Sequence, residues 1–172
     1  MKNTAKKGAA LFLALVLLLT LLPAPATATD YSGHWAKEYI ERARGLGWMQ
    51  GYEDGSFGPD KSITRGEFAV MLWRVLSKPA PKAASPFSEV TEQAFYHDAV
   101  TALHESGFVS GMGGGRFGAD ETLTREMAFV ILARALALTP GDHAAYQSFS
   151  DAGAVSGWAA DALSAMLEHG YV

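Results

Sequence analysis

Residues 51–67 read G-Y-E-D-G-S-F-G-P-D-K-S-I-T-R-G-E, and residues 111–127 read G-M-G-G-G-R-F-G-A-D-E-T-L-T-R-E-M. Gly51, Gly55, Phe57, Gly58, Asp60, Thr64 and Arg65 return 60 positions later as Gly111, Gly115, Phe117, Gly118, Asp120, Thr124 and Arg125. Self-similarity at a fixed period marks a tandem array of small units, not one enzyme-sized domain.

Outward from these blocks, each unit has the same plan. In the first, Trp35, Tyr39, Ile40, Ala43 and Leu46 recur at steps that fit one helical face, and Gly47 is placed to stop the helix. Trp48 to Ser62 is dense in Gly, Asp, Pro and Ser and reads as turns. A second helix starts at Thr64 and should turn Phe68, Met71, Leu72 and Val75 inward. Residues 79–86 hold three prolines and form a stiff linker. In the second unit Phe95, Val100 and Gly107 take the places of Trp35, Ile40 and Gly47. Its second helix, expected over Glu126 to Leu138, is apolar almost all round, which predicts a central position with neighbours on every side. After a linker at 140–148, Trp158-Ala159, Leu163 and Gly170 match Trp35-Ala36, Ile40 and Gly47, and the sequence stops at Val172 before a third loop or T-R pair. With no second helix to cover them, Leu163, Met166 and Leu167 should expose apolar surface.

Before the repeats, Lys2, Lys6 and Lys7 precede a 14-residue run from Ala9 to Leu22, then Pro23, Pro25 and Ala26-Thr27-Ala28. That is the order of a secretory signal peptide, and the run is short of the ~20 residues a spanning helix needs. Cleavage is expected after Ala28. Losing three lysines and no acid would take the formal net charge from −4 to −7. An acidic chain lacks the clustered cations that nucleic acid demands. It has no cysteine, so packing alone must hold it.

Thr64-Arg65-Gly66-Glu67 fits a capping box, in which Thr64 accepts from the amide of Glu67 and the Glu67 carboxylate reaches back to the amide of Thr64. Thr124 can cap likewise, but Met127 stands where the acid should be. Neither role explains Arg65 or Arg125, since a cation in the first helical turn opposes the macrodipole by ~0.3–1 kcal/mol. Two readings of these arginines stay open: a ligand for an anion at the helix start, or a partner of a neighbouring unit's acid. Trp35 and Trp158 begin corresponding helices. Residue type alone favours the core for both, against a half-exposed ring stacking on a flat ligand. Gly51 and Gly111 suit backbone geometry, or close approach of a ligand.

Enzyme signatures fail. Gly111 to Gly115 has no preceding strand and no Gly-Lys-Ser/Thr after it, so it is no phosphate loop. No G-x-S-x-G occurs, and His34, His97, His104, His143 and His169 share no metal-ligand spacing. Residues 54–67 lack the alternating acids of a calcium loop. No cofactor and no metal are expected.

The unit starting at Asp30, with Trp35-Ala36, Ile40, Gly47, Gly51-Tyr52, Asp54-Gly55, Phe57, Pro59-Asp60, Ile63-Thr64-Arg65 and Glu67, resembles the S-layer homology (SLH) domain. The resemblance divides the chain into a signal peptide (1–28), repeat 1 (29–78), linker (79–86), repeat 2 (87–139), linker (140–148) and a truncated repeat 3 (149–172). It implies a mostly α fold of tandem helix-loop-helix repeats, here an incomplete pseudo-threefold helical bundle. It also implies a non-catalytic anchor, secreted to the bacterial cell wall or S-layer, that binds anionic secondary cell-wall polysaccharide carrying pyruvate ketals in grooves between repeats. Arg65 and Arg125 would meet the ketal carboxylate, Trp35 and Trp158 would line the grooves, and Gly51 and Gly111 would lie beside them. Since repeat 1 keeps the whole motif, Arg65→Ala should weaken binding more than Arg125→Ala. Other SLH or S-layer proteins are further expected partners, with no nucleic acid and no membrane after signal cleavage. The alternatives are a self-associating structural envelope protein, or the N-terminal anchor of a larger secreted enzyme.

Overall fold

A computed structural model describes residues 30–139, 142 and 145–172. The signal peptide and its cleavage point therefore lie outside the described residues. Among the described residues five α-helices follow in order: α1 (Lys37–Gly45), α2 (Arg65–Val75), α3 (His97–Glu105), α4 (Arg125–Ala135) and α5 (Ala160–Glu168), with a 3-10 turn at Ala152–Ala154. Among the described residues no strand forms, and β-type pairing is limited to isolated bridges such as Thr64 with Thr122. The protein is mostly α, built of helix-loop-helix repeats. No described helix is long and apolar enough to cross a membrane.

The described chain forms two compact units, residues 30–44 with 49–60, and residues 45–48 with 61–172. In the first, Tyr31, Ile40 and Phe57 make a small buried cluster backed by Ala36 and Met49. The Tyr31 and Phe57 rings meet edge to face at 5.4 Å, and the Arg44 guanidinium donates to the Tyr31 hydroxyl. Tyr39 and Leu46, expected on the buried face, are exposed. Among the described residues of α1, Ile40 is the buried one, and it packs into this three-residue cluster.

The second unit holds the main core: Phe68, Ala69 and Leu72 of α2, Val100 and Leu103 of α3, Ile131 of α4, and Phe87, Val90, Val109, Phe117 and Ala119 from the connecting segments. Helix α2 packs on α3, and α4 on α5. The second helix of one repeat is thus paired with the first helix of the next. That pairing corrects three sequence expectations. Met166 is buried rather than exposed, since α4 supplies the neighbour α5 was expected to lack. Helix α4 is not central: Ile131 and Ala133 are its buried residues, whereas α2 buries six, Arg65, Gly66, Phe68, Ala69, Val70 and Leu72. Val75, at the end of α2, is exposed. An all-round apolar sequence shows that a helix can be buried, but the neighbours available decide how far it is.

Candidate functional site: the helix starts, the loops and the α4–α5 cleft

Thr64 and Thr124 are the N-caps of α2 and α4, both with extended backbone. At α2 the capping box is complete. The Glu67 amide donates to Thr64 Oγ1 at 3.2 Å, and the Thr64 amide donates to Glu67 Oε2 at 2.8 Å. At α4 the Met127 amide donates to Thr124 Oγ1 at 3.2 Å, and no side chain returns the bond.

The two arginines beside these caps sit in different surroundings. Arg65 is 6 % exposed. Its Nε donates to the carbonyl of Phe117 at 3.1 Å and its Nη2 to the carbonyl of Ser110 at 2.9 Å. The guanidinium carbon lies 4.5 Å from the centre of the Phe117 ring. Main-chain bonds join the same surfaces: the Arg65 amide donates to Glu121 O, the Gly66 amide to Ala119 O, and the Leu123 amide to Ile63 O, at 2.8–2.9 Å. Burial pushes the Arg65 pKa down, with the Glu121 carboxylate opposing, and an arginine side chain stays protonated at neutral pH. Arg125 is exposed. Its guanidinium lies 5.7 Å from the Phe129 ring of its own helix, and among the described residues it donates no hydrogen bond.

The loop that receives Arg65 is held by Glu89, an acid that sequence reasoning did not single out. Glu89 Oε1 accepts from the amides of Phe117 and Gly118, both at 2.6 Å. Asp30 does the same in repeat 1, accepting from the amides of Phe57 and Gly58 at 2.7–3.1 Å. The signal was present in the sequence: an acid at each repeat start, 27 or 28 residues before a Phe-Gly pair. Gly51 and Gly111 shape the same loops. A Cβ on Gly51 would come within 2.7 Å of Ser56 O, and one on Gly111 within 2.6 Å of Arg116 O and 2.7 Å of the Phe87 ring.

Trp35 and Trp158 are 82 % and 58 % exposed, which overturns the core reading that residue type favoured. Both precede their helices, and the alanine that follows each one takes the inner position: Ala36 packs on the Tyr31 cluster and Ala159 is fully buried. Phe95, at the matching place in repeat 2, is exposed too. Trp158 stands at one wall of a cleft between α4 and α5, about 250 Å³ in volume, lined also by Val130, Ala133, Arg134, Asp161 and Ala165.

Among the described residues no cluster of three or more His, Cys, Asp or Glu could hold a metal ion. His97 pairs with Asp98 and His104 with the Val109 carbonyl.

Comparison with known proteins agrees with the repeat plan. A family model described as the S-layer homology domain matches residues 29–69 and 86–128. Over 139 residues the chain is 32% identical to the "Surface-layer 125 kDa protein" of Lysinibacillus sphaericus, covering 80% of this chain and 12% of that one. It is 28% identical over 149 residues to an amylopullulanase of Thermoanaerobacterium thermosulfurigenes, covering 85% of this chain and 8% of the relative. It is 30% identical over 82 residues to the "S-layer protein sap" of Bacillus anthracis, covering 48% of this chain and 10% of that protein. The chain thus spans about a tenth of the length of these relatives.

Proposed function

Residues 29–69 and 86–128 are S-layer homology domains, cell-surface anchoring modules found in S-layer proteins and in enzymes, and from that premise we propose that this chain is an exported, non-catalytic anchor for an anionic cell-wall polysaccharide. The observation that carries the reading is the exposure of Trp35 and Trp158 at the same position of two repeats. A large aromatic ring left in water is a costly surface unless a flat partner covers it, and the CH face of a sugar is such a partner. The exposed guanidinium of Arg125, beside the capped start of α4, supplies a bidentate donor for a carboxylate such as a pyruvate ketal. Arg65, with two donors bound to carbonyls and its side chain buried, supports the loop instead. The ranking expected from motif completeness therefore reverses: Arg125→Ala is the substitution that weakens wall binding directly.

Co-sedimentation of residues 29–172 with purified walls tests the reading, before and after removal of the ketal-bearing polysaccharide. Binding is expected to be lost with the polysaccharide and reduced by Trp35→Ala, Trp158→Ala and Arg125→Ala. Equal binding to stripped walls would overturn it.

A further inference from the structure

We infer that Glu105 and Glu168 are latches. Each fastens the linker that enters its repeat to the end of that repeat's first helix, and so turns the linker into a closed strap. Neither latch involves Trp35, Arg125 or Trp158, the residues of the wall-binding reading.

Both glutamates are the last residues of their helices, α3 and α5. An acid there opposes the helix macrodipole, so the helix itself gives no reason for it. The reason lies across the sequence. Glu105 Oε1 accepts from the Lys82 amide at 2.9 Å and from the Ala83 amide at 2.7 Å, and its Oε2 accepts from the Lys82 amide at 3.0 Å. Glu168 Oε1 accepts from the Asp142 amide at 2.5 Å. Lys82 lies seven residues past Val75, the end of α2, and Asp142 lies seven past Ala135, the end of α4. The linkers nonetheless differ in length, since Glu105 is 23 residues beyond Lys82 and Glu168 is 26 beyond Asp142. The clasp point is kept, and the three extra residues are taken up after it. At the matching place in repeat 1, which no linker of this kind enters, stands Gly45.

Composition explains why the first linker needs a latch. Pro79, Pro81 and Pro86 carry no N–H, and a stretch that cannot build a helix has no helical bonds to close it. Its start is held by Trp73, whose Nε1 donates to the Pro79 carbonyl at 2.8 Å, with the Lys78 ammonium 5.9 Å from the centre of the same indole. In α4 the place of Trp73 is taken by Ala133, so the second linker has no indole at that end. Further along the first linker, two consecutive amides converge on the Glu105 carboxylate. Successive backbone amides are a recurrent way to hold an anion, and Asp30 and Glu89 are bound in this manner in the loops. Glu105, Lys82 and Ala83 are all exposed, so one bond alone contributes little. Three bonds to a single charged acceptor bias the strap toward its closed form. Closure matters at Lys82, because an exposed loop lysine is a preferred site of nicking, and a protease must lift the segment from the fold before it cuts.

The test is trypsin digestion of the full chain at limiting protease, where the rate of cutting tracks the population of the open segment. Mass spectrometry reads the Lys82–Ala83 bond and, as a reference, the Lys61–Ser62 bond in the loop of repeat 1. Glu105→Ala should speed cleavage after Lys82 at least about threefold and leave the reference unchanged. Glu105→Gln, which keeps an acceptor but no charge, should fall between. In amide exchange, Glu105→Ala should accelerate Lys82 and Ala83, and Glu168→Ala should accelerate Asp142, with Val100 in the buried part of α3 unchanged. Both glutamates are exposed at helix ends, where alanine is well tolerated. Unchanged or slower cleavage and exchange in Glu105→Ala would overturn the proposal, since that is the result if losing the acid only relieves the α3 dipole. Equal acceleration at the reference bond and at Val100 overturns it too, because the helix and not the strap would then depend on Glu105. An unchanged Asp142 amide in Glu168→Ala overturns the second latch.

Discussion

Arg65 holds Phe117 twice, by a bond from Nε to its carbonyl at 3.1 Å and by a guanidinium 4.5 Å from its ring centre. Repeat 1 is thereby attached to the loop of repeat 2 through a buried cation hydrogen-bonded to main-chain carbonyls. Such a residue is structural first. Removing it leaves the buried carbonyl of Phe117 and the part-buried carbonyl of Ser110 without that donor. Arg65→Ala is expected to destabilise the fold by about 2–4 kcal/mol, and Arg125→Ala by less than ~0.5 kcal/mol. Urea denaturation of the two variants measures the difference; similar midpoints would show that the Arg65 contacts are dispensable.

Gly66 supplies a second test, because helix propensity and packing disagree in sign. Replacing a helical glycine with alanine gains ~1 kcal/mol from propensity alone. Here the new Cβ would sit 2.9 Å from Cδ1 of Tyr96 and 3.1 Å from the carbonyl of Ala119, which accepts the Gly66 amide. Overpacking of this kind costs ~1–3 kcal/mol. Gly66→Ala should therefore lower stability, and Gly66→Ala combined with Tyr96→Ala should show a favourable coupling in a double-mutant cycle. In the next repeat the same position carries Glu126, Ala159 stands at the repeat position of Tyr96, and the Glu126 carboxylate accepts from the Ser156 amide at 2.7 Å.

Acid should loosen both loops. Asp30 has its pKa lowered from 3.8, chiefly by the Gly58 amide, against a smaller upward push from burial and with help from the Phe57 amide. For Glu89, burial is the largest influence and pushes upward, but the amides of Gly118, Glu89 itself and Phe117, with Arg116, outweigh it and bring the pKa below 4.5. A carboxylate with a folded pKa below its unfolded one contributes stability that is complete above the unfolded value. That stability is lost as pH falls through the folded value. Thermal unfolding followed from pH 7 to pH 3 should show a plateau above about pH 5 and a decline below it. In Glu89→Gln the decline should be shallower. An identical pH profile in that variant would show that Glu89 does not carry the effect.

Ser164 is fully buried in α5 and its hydroxyl has no hydrogen-bond partner among the described residues. At the corresponding place in α3, Thr101 donates to the His97 carbonyl at 2.7 Å. An unpaired buried hydroxyl costs roughly 1–3 kcal/mol, so Ser164→Ala should be neutral or stabilising by up to about 1 kcal/mol. A clear loss of melting temperature would mean that the hydroxyl is satisfied in solution, for example by a bound water.

Much of the fold was legible because its signals are local. The T-x-x-E box at Thr64, the missing acid at Met127, the stop near Gly47 and the proline-rich break at 79–86 each depend on residues within a turn or two of one another. Less local features misled. Trp35 and Trp158 were assigned by residue type to the interior, yet the alanine after each one is the inner residue, and only the packed helices show which of two adjacent side chains turns inward. The apolar sequence of α4 promised a central helix, and Met166 promised exposed surface. Both depended on whether a partner helix was present, and α5 lying on α4 answered for both.

The sequence by itself determined the repeat, its period, the helix starts and their caps, since each is encoded by short-range spacing that any reader of the chain can count. Tertiary structure decided the roles of the residues within that frame. Arg65 and Arg125 are the same residue in the same motif, and Trp73 and Ala133 hold the same register. One arginine is buried because a loop from the following repeat brings two carbonyls to it, and the other is exposed. One register position is filled by an indole, and the other by a buried alanine that lines a cleft beside Trp158. The physical reason is that accessibility and charge pairing belong to surfaces brought together from 40 or more residues apart, and no local pattern records which surface arrives.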